Sequence, residues 1–282
     1  MAAMIGIAEH YRETLENAGF AEFEAIMKTQ AGRCLRVLPD RENWYLQGAL
    51  PPGPSPEYGR GELLQGMYLK KHRARTWATR IAATLGAASP PSPGRVEAEN
   101  AIALQSLGID VMPLMAYGEK LHADGRLESF LLTEELQGYC ELQEFIQRRF
   151  PPAPRPTFHA DLRRLIVQVA DIARRFHAAG FNHRDFYCCH FLVKESSRGQ
   201  FDVRLIDLQR VQQRQWFRRR WIVKDLAQLA SMSPDDRVGC RAKILFLRTY
   251  LGVRKLRPRD KRLVRDILWK LSLIRRHARH KS

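Results

Sequence analysis

The stretch FNHRDFYCCHFLV, residues 181–193, concentrates side chains that can do chemistry. Asp185 is a carboxylate that can accept a proton from a hydroxyl group, and His190 stands five residues after it. Cys188 and Cys189 beside that imidazole raise zinc as the competing interpretation. Adjacent cysteines are an unusual pair for a tetrahedral site, and no second Cys/His group with ligand spacing follows. We therefore expect the two cysteines to pack in the interior.

A second carboxylate, Asp207, follows the apolar run VRLI directly. The segments FLVK and DVRLID predict a hairpin around ESSRGQ, and Asp185 and Asp207 flank it, so both can face one cleft. Such a pair suits phosphoryl transfer, with Asp185 as proton acceptor and Asp207 as a ligand for Mg²⁺, which prefers oxygen. Taken one at a time, each aspartate is also compatible with an ordinary surface turn.

Phosphoryl transfer further needs a lysine on the nucleotide phosphates and a glutamate that orients it. Lys70 ends the alternating segment GMYLK, and Lys71 should point to the opposite face of that strand. For the glutamate we prefer Glu99, which borders the apolar face marked by Ile102, with Glu97 close behind. A solvated lysine and glutamate are the alternative. No GxGxxG phosphate loop is recognisable.

Strands dominate the first half of the pattern and helices the second, which is typical of an α+β fold. Helices are predicted over residues 8–30, 95–109, 140–150, 160–180, 222–231, 240–251 and 258–276. Strands are predicted within 33–47, 67–72, 111–120 and 128–136, besides the hairpin. Gly/Pro-rich breaks interrupt the pattern at 48–61 and 86–94.

The chain is strongly basic, with 47 Lys and Arg against 30 Asp and Glu and a formal net charge of +17. The basic residues cluster at 70–75, 214–221 and 275–281, which favours an anionic partner such as nucleic acid, anionic lipid or a phosphorylated glycan. Few aromatic residues interleave with these clusters, so no specific nucleic acid is expected. No apolar run reaches about 18 residues, and no basic leader precedes the first helix, so neither a membrane span nor a signal peptide is predicted. Five scattered cysteines without a CxxC pair indicate reduced thiols and a cytosol-facing protein.

From about residue 65 to residue 232 the sequence resembles the Kdo/WaaP lipopolysaccharide kinases, protein-kinase-like enzymes that phosphorylate sugars of the lipopolysaccharide inner core. YLKKHR resembles the lysine strand of that family, LLTEEL its adenine-contacting hinge, and RRWIVKDLAQL its supporting helix. HAAGFNHRDFYCCHFLV resembles its catalytic loop, in which a histidine at the position of His190 is usual, and VRLIDLQR resembles its metal motif. The likeness is greater to the heptose-kinase branch. The register of the helix glutamate and a 49–62 insertion near the nucleotide loop depart from the family.

The resemblance implies a protein-kinase-like two-lobed fold, with a small β-rich N-lobe over residues 1–136 and a larger helical C-lobe over 137–282. It implies an ATP- and Mg²⁺-dependent kinase that phosphorylates a core sugar, with heptose expected because the heptose branch is the better match. A kinase of the same fold acting on protein or a soluble alcohol is the first alternative. A non-catalytic pseudokinase that binds anionic lipid or nucleic acid is the second.

The resemblance also distributes roles over this chain. Asp185 and His190 are implied as catalytic, Asp207 and His190 as metal ligands, and Lys70, Glu99, Glu135 and Leu136 as ATP-binding residues. His183, Arg184 and Asp225 would support the catalytic loop. Arg214, Trp216, Arg218, Arg219 and Arg220 would form a substrate or membrane surface. The protein is expected to act on core glycolipid at the anionic, cytoplasmic face of the inner membrane of a Gram-negative-type cell, as a peripheral protein.

Overall fold

The structure, a computed structural model, describes residues 2–47, 66–88, 90–150, 152 and 159–279. The 49–62 insertion lies outside the described residues. The chain divides into two compact units. The first comprises residues 1–102 and 112–137, and the second comprises residues 103–111 and 138–282. The predicted lobe boundary after residue 136, with a separate role for each lobe, stays a prediction.

The helices and strands follow one another in an order that is richer in strands at the start. The strands are β1 (Met4–Ile7), β2 (Arg33–Leu38), β3 (Arg41–Leu46), β4 (Met67–Ala74), β5 (Leu114–Leu121), β6 (Leu127–Glu134), β7 (Cys140–Glu141), β8 (Phe181–Asn182), β9 (Phe191–Ser197), β10 (Gln200–Leu205) and β11 (Gln212–Gln213). The helices are α1 (Arg12–Asn17), α2 (Phe23–Lys28), α3 (Trp77–Leu85), α4 (Pro93–Ser106), α5 (Leu142–Arg149), α6 (Ala160–Ala178), α7 (Arg218–Ser231), α8 (Cys240–Leu251) and α9 (Pro258–Arg279).

The first unit is built on an antiparallel sheet with the described strand order β1-β5-β6-β4-β3-β2. All residues of the central strand β6 are buried, as expected of a strand covered on both faces. Phe130 on β6 packs against Phe23 of α2, with ring centres 5.7 Å apart, inside an apolar cluster that also takes in Leu15 and Leu69. The sheet therefore holds β4, and with it Lys70, in a fixed register.

The second unit is mostly helical. Its helix α6 buries an apolar stripe that includes Leu165, Val169 and Phe176, spaced at helical intervals. The predicted hairpin forms: β9 and β10 pair antiparallel, with Val193 opposite Val203, and β7 adds a third strand. The predicted α+β class, with a β-rich first part and a helical second part, is confirmed.

The structure differs from the sequence prediction mainly in the first unit. The expected helix over 8–30 is broken into a 3₁₀ turn at Glu9–Tyr11 and the short helices α1 and α2. Gly19, between them, adopts a left-handed φ of 76°, which interrupts a helix. Strand β1 and helix α3 were not predicted. None of the helices in the described part of the chain is long and apolar enough to cross a membrane.

Candidate active site

Lys70 and Glu97 form a close ion pair in the first unit. The Lys70 Nζ donates to the Glu97 Oε1 at 2.7 Å, and the Glu97 side chain is 0% exposed. The second oxygen, Glu97 Oε2, is buried and has no hydrogen-bond partner among the described residues. A buried carboxylate held this close keeps the lysine side chain in one orientation, which is what a phosphate-anchoring lysine requires.

The preference for Glu99 over Glu97 as the partner of Lys70 is wrong. Glu99 instead pairs with Arg95, one turn earlier on α4, at 2.7 Å and at the surface. The buried positions of this helix include Ala98, Ala101 and Leu104, and Glu97 lies one and two turns before the last two of them. Ile102, on which the preference rested, is half exposed, so the apolar face was assigned to the wrong side of the helix.

Strand alternation separates Lys70 from Lys71. The Lys71 Nζ donates to the backbone carbonyl of Thr29 at 2.5 Å and lies 5.1 Å from the centre of the Trp44 ring. Burial lowers the pKa of Lys71. The two adjacent lysines thus have different surroundings, and of the two it is Lys70 that reaches the helix glutamate.

Glu135 and Leu136 directly follow β6, just before the chain enters the second unit at residue 138. The Glu135 backbone amide donates to the Gly66 carbonyl at 2.8 Å, and the Tyr45 hydroxyl donates to Glu135 Oε2 at 2.8 Å. The hydrogen bond from Tyr45 raises the pKa of its hydroxyl. A Cβ atom at Gly66 would clash with Glu135 Oε2 and with the Tyr45 ring, so glycine allows this close approach. The segment is well anchored, and its contact with adenine stays a prediction.

In the second unit, Asp185 lies between β8 and the hairpin and is held by an arginine that the sequence did not single out. The Arg210 Nη1 donates to Asp185 Oδ2 at 2.7 Å. Arg210 sits three residues after Asp207, in the 3₁₀ turn Leu208–Arg210. The charged hydrogen bond holds the carboxylate in one rotamer, from which it can accept a proton.

His190 links the two aspartates. Its Nδ1 lies 2.6 Å from the backbone carbonyl of Asp185, and its Nε2 lies 3.6 Å from Asp207 Oδ2. Because a carbonyl oxygen only accepts, Nδ1 must carry a proton. The Nε2 atom then faces a carboxylate oxygen, an arrangement that either a proton on Nε2 or a cation between the two groups satisfies. The geometry therefore fits a metal ion held by Asp207 and His190.

The two candidate ligands form a partial set. Across the described ranges, no three His, Cys, Asp or Glu side chains gather in a metal-holding arrangement. Mg²⁺ commonly completes its shell with phosphate oxygens and water, so two protein ligands suit it. Cys188 is buried, its Sγ contacts the Leu229 carbonyl at 3.4 Å, and burial raises the pKa of its thiol to about 12. At neutral pH it is a packed thiol rather than a thiolate ligand.

Helix α7 contacts the loop around Asp185 through Asp225. This fully buried carboxylate accepts from the backbone amides of His183 at 2.7 Å and of Arg184 at 3.0 Å. One turn on, Gln228 Oε1 accepts from the Phe186 amide at 3.2 Å. Burial lowers the pKa of His183 to about 4, and its neutral ring stacks on His190 with centres 5.5 Å apart. The placement of Asp225 matches the supporting role that the sequence predicted for it; that role stays a prediction.

Strained backbone marks the same region. Arg184, Asp207 and Phe217 have φ values of 70°, 57° and 55°, and in the part of the chain described no other non-glycine residue has a positive φ. A left-handed conformation costs a non-glycine residue roughly 1 kcal/mol and persists only where surrounding contacts impose it. Two of these residues carry predicted roles in the catalytic loop and the metal motif, and the third lies in the basic segment before α7.

The basic segment 214–221 divides into two groups. Arg218 donates to the His177 carbonyl and Arg219 pairs with Asp266 of α9 at 2.6 Å, so both attach α7 to its own unit. Trp216 and Phe217 are 81% and 84% exposed. Arg214 and Arg220 turn towards the Trp221 ring. The predicted surface of Arg214, Trp216, Arg218, Arg219 and Arg220 is therefore not one uniform patch.

Comparison with known proteins identifies the family. A profile of the "Lipopolysaccharide kinase (Kdo/WaaP) family" matches residues 63–250. The protein named lipopolysaccharide core heptose(I) kinase WaaP from Pseudomonas aeruginosa is 38% identical over 192 residues, which cover 66% of this chain and 69% of that protein. The protein of the same name from Escherichia coli K12 is 32% identical over 184 residues, covering 64% and 68%. A solved structure titled "WaaP in complex with acyl carrier protein" has a TM-score of 0.67 and 30% identity over 98% of both chains.

The chain therefore belongs to the lipopolysaccharide kinase (Kdo/WaaP) family. The predicted family, its heptose-kinase branch, the kinase-like fold and the phosphotransferase class are confirmed. The site residues rest on geometry. Lys70, Asp185, Asp207, His190 and Asp225 occupy positions that suit their predicted roles, Glu97 replaces Glu99, and Arg210 is an addition.

Proposed function

We propose that this protein transfers the γ-phosphoryl group of ATP to a hydroxyl of a heptose in the lipopolysaccharide core. One observation carries the proposal: His190 lies 2.6 Å from the backbone carbonyl of Asp185, the proposed proton acceptor, and 3.6 Å from Oδ2 of Asp207, the proposed metal ligand. Relatives named as core heptose(I) kinases, at 32 to 38% identity, favour heptose as the acceptor sugar.

In this mechanism the Asp185 carboxylate accepts the proton of the attacking hydroxyl. Arg210, 2.7 Å from Asp185 Oδ2, keeps that carboxylate in place. Lys70, oriented by Glu97, binds the nucleotide phosphates, and Glu135 with Leu136 contacts adenine. Asp207 and His190 would hold Mg²⁺, which neutralises charge on the transferred phosphoryl group when bound. Asp225 keeps the amides of His183 and Arg184 in the geometry that presents Asp185.

The same proposal places the protein on the cytoplasmic face of the inner membrane of a Gram-negative-type cell, as a peripheral protein. Its acceptor is part of a membrane glycolipid, so the enzyme must work at the bilayer surface. Trp216 and Phe217 are adjacent, almost fully exposed aromatic side chains. Adjacent exposed aromatic side chains of this kind suit the headgroup region of a membrane.

A partner is also proposed. One similar solved structure is titled as WaaP in complex with acyl carrier protein, and we propose that this chain likewise associates with an acyl carrier protein. The second unit contains an apolar cavity of about 170 Å³ lined by Leu165, Val169, Leu226, Phe246 and Ile267 among others. Its lining is almost entirely apolar, so an acyl chain suits it.

The test is phosphate transfer from radiolabelled ATP across a set of acceptors. We expect incorporation into core lipopolysaccharide that contains heptose, and none into heptose-free core, a generic protein substrate or simple alcohols. Asp185→Asn should lower turnover by about 10²- to 10⁴-fold, the usual contribution of a general base, with ATP affinity little changed. Asp171→Asn, which alters a partly exposed aspartate of α6, is the matched control and should keep full turnover.

Two results would contradict the function. Near-normal turnover by Asp185→Asn would remove the assigned base. Labelling confined to protein would favour the protein-kinase alternative, and ATP binding without any transfer would favour the pseudokinase. For the partner, intact-mass analysis of complexes recovered with a co-expressed acyl carrier protein should give a one-to-one species, and recovery of free chain alone would exclude it.

A further inference from the structure

Trp221, in the first turn of α7, is the centre of a cluster of cations. Arg184, Arg214, Arg220 and Lys224 place their charged groups 5.7, 4.8, 5.6 and 5.9 Å from the centre of its indole ring. Each distance falls within the range of a cation–π contact. We call these five residues the Trp221 cluster.

Among the described residues, the cations of the Trp221 cluster have no direct carboxylate partner, although Asp185 and Asp225 attract the Lys224 ammonium at longer range. Over the described part of the chain, none of its four cations lies within 4 Å of an acidic oxygen. The Arg214 guanidinium donates to the Gln212 side-chain carbonyl at 2.8 Å, and the Lys224 ammonium donates to the Arg184 carbonyl. The nearby acids are already engaged, since Asp185 pairs with Arg210 and Asp225 accepts the two backbone amides.

Arg184 adds a second observation. Its Nε is buried and lacks a hydrogen-bond partner within the described ranges, although a guanidinium N–H normally finds an acceptor. The residue is also held at a φ of 70°, a conformation that Asp225 maintains through the amide. The fold thus tolerates strain and charge repulsion to keep this residue beside Asp185. Binding of an anionic ligand would offset the charge repulsion.

We propose that the Trp221 cluster binds an anionic group of the acceptor, a phosphate or a carboxylate, and so positions the neighbouring sugar hydroxyl at Asp185. The proposal rests on the proposed function and names the part of the acceptor that the enzyme recognises. Arg184 directly precedes Asp185 in the chain, and the Lys224 ammonium donates to the carbonyl that joins these two residues. An anion held at the cluster is therefore adjacent to the base.

The decisive experiment is a thermodynamic cycle in which cations of the protein and anionic groups of the acceptor are removed separately and together. Arg214→Gln/Arg220→Gln removes two exposed cations and leaves Arg184 and Lys224 in place. Each lost charged hydrogen bond corresponds to about 10- to 100-fold, so we expect KM for the intact core glycolipid to rise by at least about tenfold. KM for ATP should be unchanged. Arg262→Gln, at an exposed arginine of α9, is the control and should change neither.

Chemically altered acceptors complete the cycle. One acceptor has its phosphates removed and another has its acidic-sugar carboxylates reduced; whichever group binds the cluster, wild-type protein should lose affinity for that acceptor. The double variant should show no further loss with it, because the same interaction is already absent. An equal loss with charged and neutral acceptors would overturn the proposal.

A binding measurement separates this proposal from the proposed function. Titration calorimetry without nucleotide should detect binding of the phosphorylated, carboxylated core glycolipid to wild-type protein. The double variant should bind it more weakly. If transfer to heptose fails but this difference persists, the anion site stands and the function is wrong. If transfer succeeds and the variant binds as wild type, the anion site is wrong and the function stands. Arg214→Lys/Arg220→Lys should restore part of the affinity, since charge returns without the guanidinium fork.

Helix α3 provides a separate observation in the first unit. Trp77, Ile81 and Leu85, spaced four residues apart, form one face and are 77%, 50% and 73% exposed. The opposite face is buried through Ala82, which packs with Leu121 and Leu127. Thr76 caps the helix, so this apolar row is held on a defined helix and not on a frayed segment.

Exposed arginines accompany the apolar row of α3. Arg75 and Arg80 are both exposed, and neither forms an ion pair within 4 Å in the described part of the chain. A short helix with a row of Trp, Ile and Leu and flanking arginines has the chemistry of an interfacial membrane contact. We infer that α3 docks on an anionic bilayer surface with Trp77, Ile81 and Leu85 at the headgroup level.

Vesicle co-sedimentation tests α3 directly. Trp77→Ala/Leu85→Ala should bind phosphatidylglycerol-containing vesicles at least about tenfold more weakly than wild type, because apolar contact contributes to the partition. Val37→Ala, at an exposed valine of β2, is the matched control and should bind normally. Unchanged binding of the α3 variant, with loss only in Trp216→Ala/Phe217→Ala, would overturn this inference. Binding to pure phosphatidylcholine as strong as to the anionic vesicles would exclude the arginine contribution.

Discussion

The pairing of Lys70 with Glu97 makes a prediction that separates two glutamates on one helix. Glu97→Gln preserves the shape of the side chain and removes its charge. Glu99→Gln makes the same chemical change two residues later. Only the first should weaken the protein and its binding of ATP, because Glu97 contacts Lys70 in a buried environment whereas Glu99 pairs with Arg95 at the surface.

The size of the effect follows from the geometry. At 2.7 Å and an effective dielectric constant of about 20, the Coulomb attraction between Lys70 and Glu97 is about 6 kcal/mol before desolvation is subtracted. Removing one partner of a buried pair typically costs about 3–5 kcal/mol. Lys70 keeps partial access to water, and the amide oxygen introduced by Glu97→Gln can still accept, so we expect about 2 kcal/mol here. The exposed Arg95–Glu99 pair is worth about 0.3–0.5 kcal/mol.

Urea unfolding and titration with a fluorescent ATP analogue measure both consequences. Glu97→Gln should lower the unfolding free energy of the protein by about 2 kcal/mol and weaken nucleotide binding about tenfold, since Lys70 loses its fixed orientation. Glu99→Gln should remain within about 0.5 kcal/mol of wild type and bind nucleotide normally. Equal behaviour of the two variants would refute the assignment of Glu97. Loss in Glu99→Gln alone would restore the original prediction.

Three further outcomes are expected. Asp225→Asn should lower turnover and destabilise the protein by about 2–4 kcal/mol in urea unfolding. The two carboxylate oxygens accept hydrogen bonds from the backbone N–H groups of His183 and Arg184, and the asparagine side chain has only one such oxygen. Burial lowers the pKa of His72 and His183 from 6.5 to about 4, so between these pH values the unfolded chain binds more protons than the folded protein. The unfolding free energy should therefore fall by about 2 kcal/mol per histidine between pH 7 and pH 5, measured by urea unfolding. The variant His72→Phe should show about half of this fall. Arg210→Gln should lower kcat more than it raises KM for either substrate in steady-state assays, since Arg210 holds the carboxylate of Asp185 in place.

The sequence predicted those helices and strands whose pattern of apolar and polar residues lies within a few neighbouring positions. The hairpin of β9 and β10 follows from two alternating segments around a polar turn, and it brings Asp185 and Asp207 to its ends as expected. Helix α3 was not predicted, although Trp77, Ile81 and Leu85 repeat at helical spacing and give it two distinct faces, because the segment is only nine residues long. Arg210 escaped prediction because its partner lies 25 residues away along the chain. Only tertiary structure brings that pair together.

Runs of basic residues in the sequence did not reliably predict which residues form a charged surface. In the basic run 70–75, Lys70 pairs with Glu97, Lys71 is buried against Thr29, and His72 is buried without charge. Arg73 contacts Glu42 and Glu128. The run 70–75 therefore mainly forms contacts within its own unit, although its sequence predicts a surface patch. The run 214–221 is different, because its Arg214 and Arg220 converge on an aromatic ring beside the predicted base.

Helix α7 contributes both to the proposed support of the Asp185 loop and to the proposed anion site of the second unit. Its first turn contains Trp221, and its second turn contains Lys224 and Asp225. These three residues make different contacts with the loop that carries Arg184 and Asp185. Asp225 fixes the amide of Arg184, while Lys224 binds the carbonyl of the same residue. Arg184 is thereby held at both ends of its backbone, with its guanidinium over Trp221 and Asp185 as the next residue. A substitution in this turn should therefore change acceptor affinity and turnover together, whereas the exposed Arg214 and Arg220 can be altered for affinity alone.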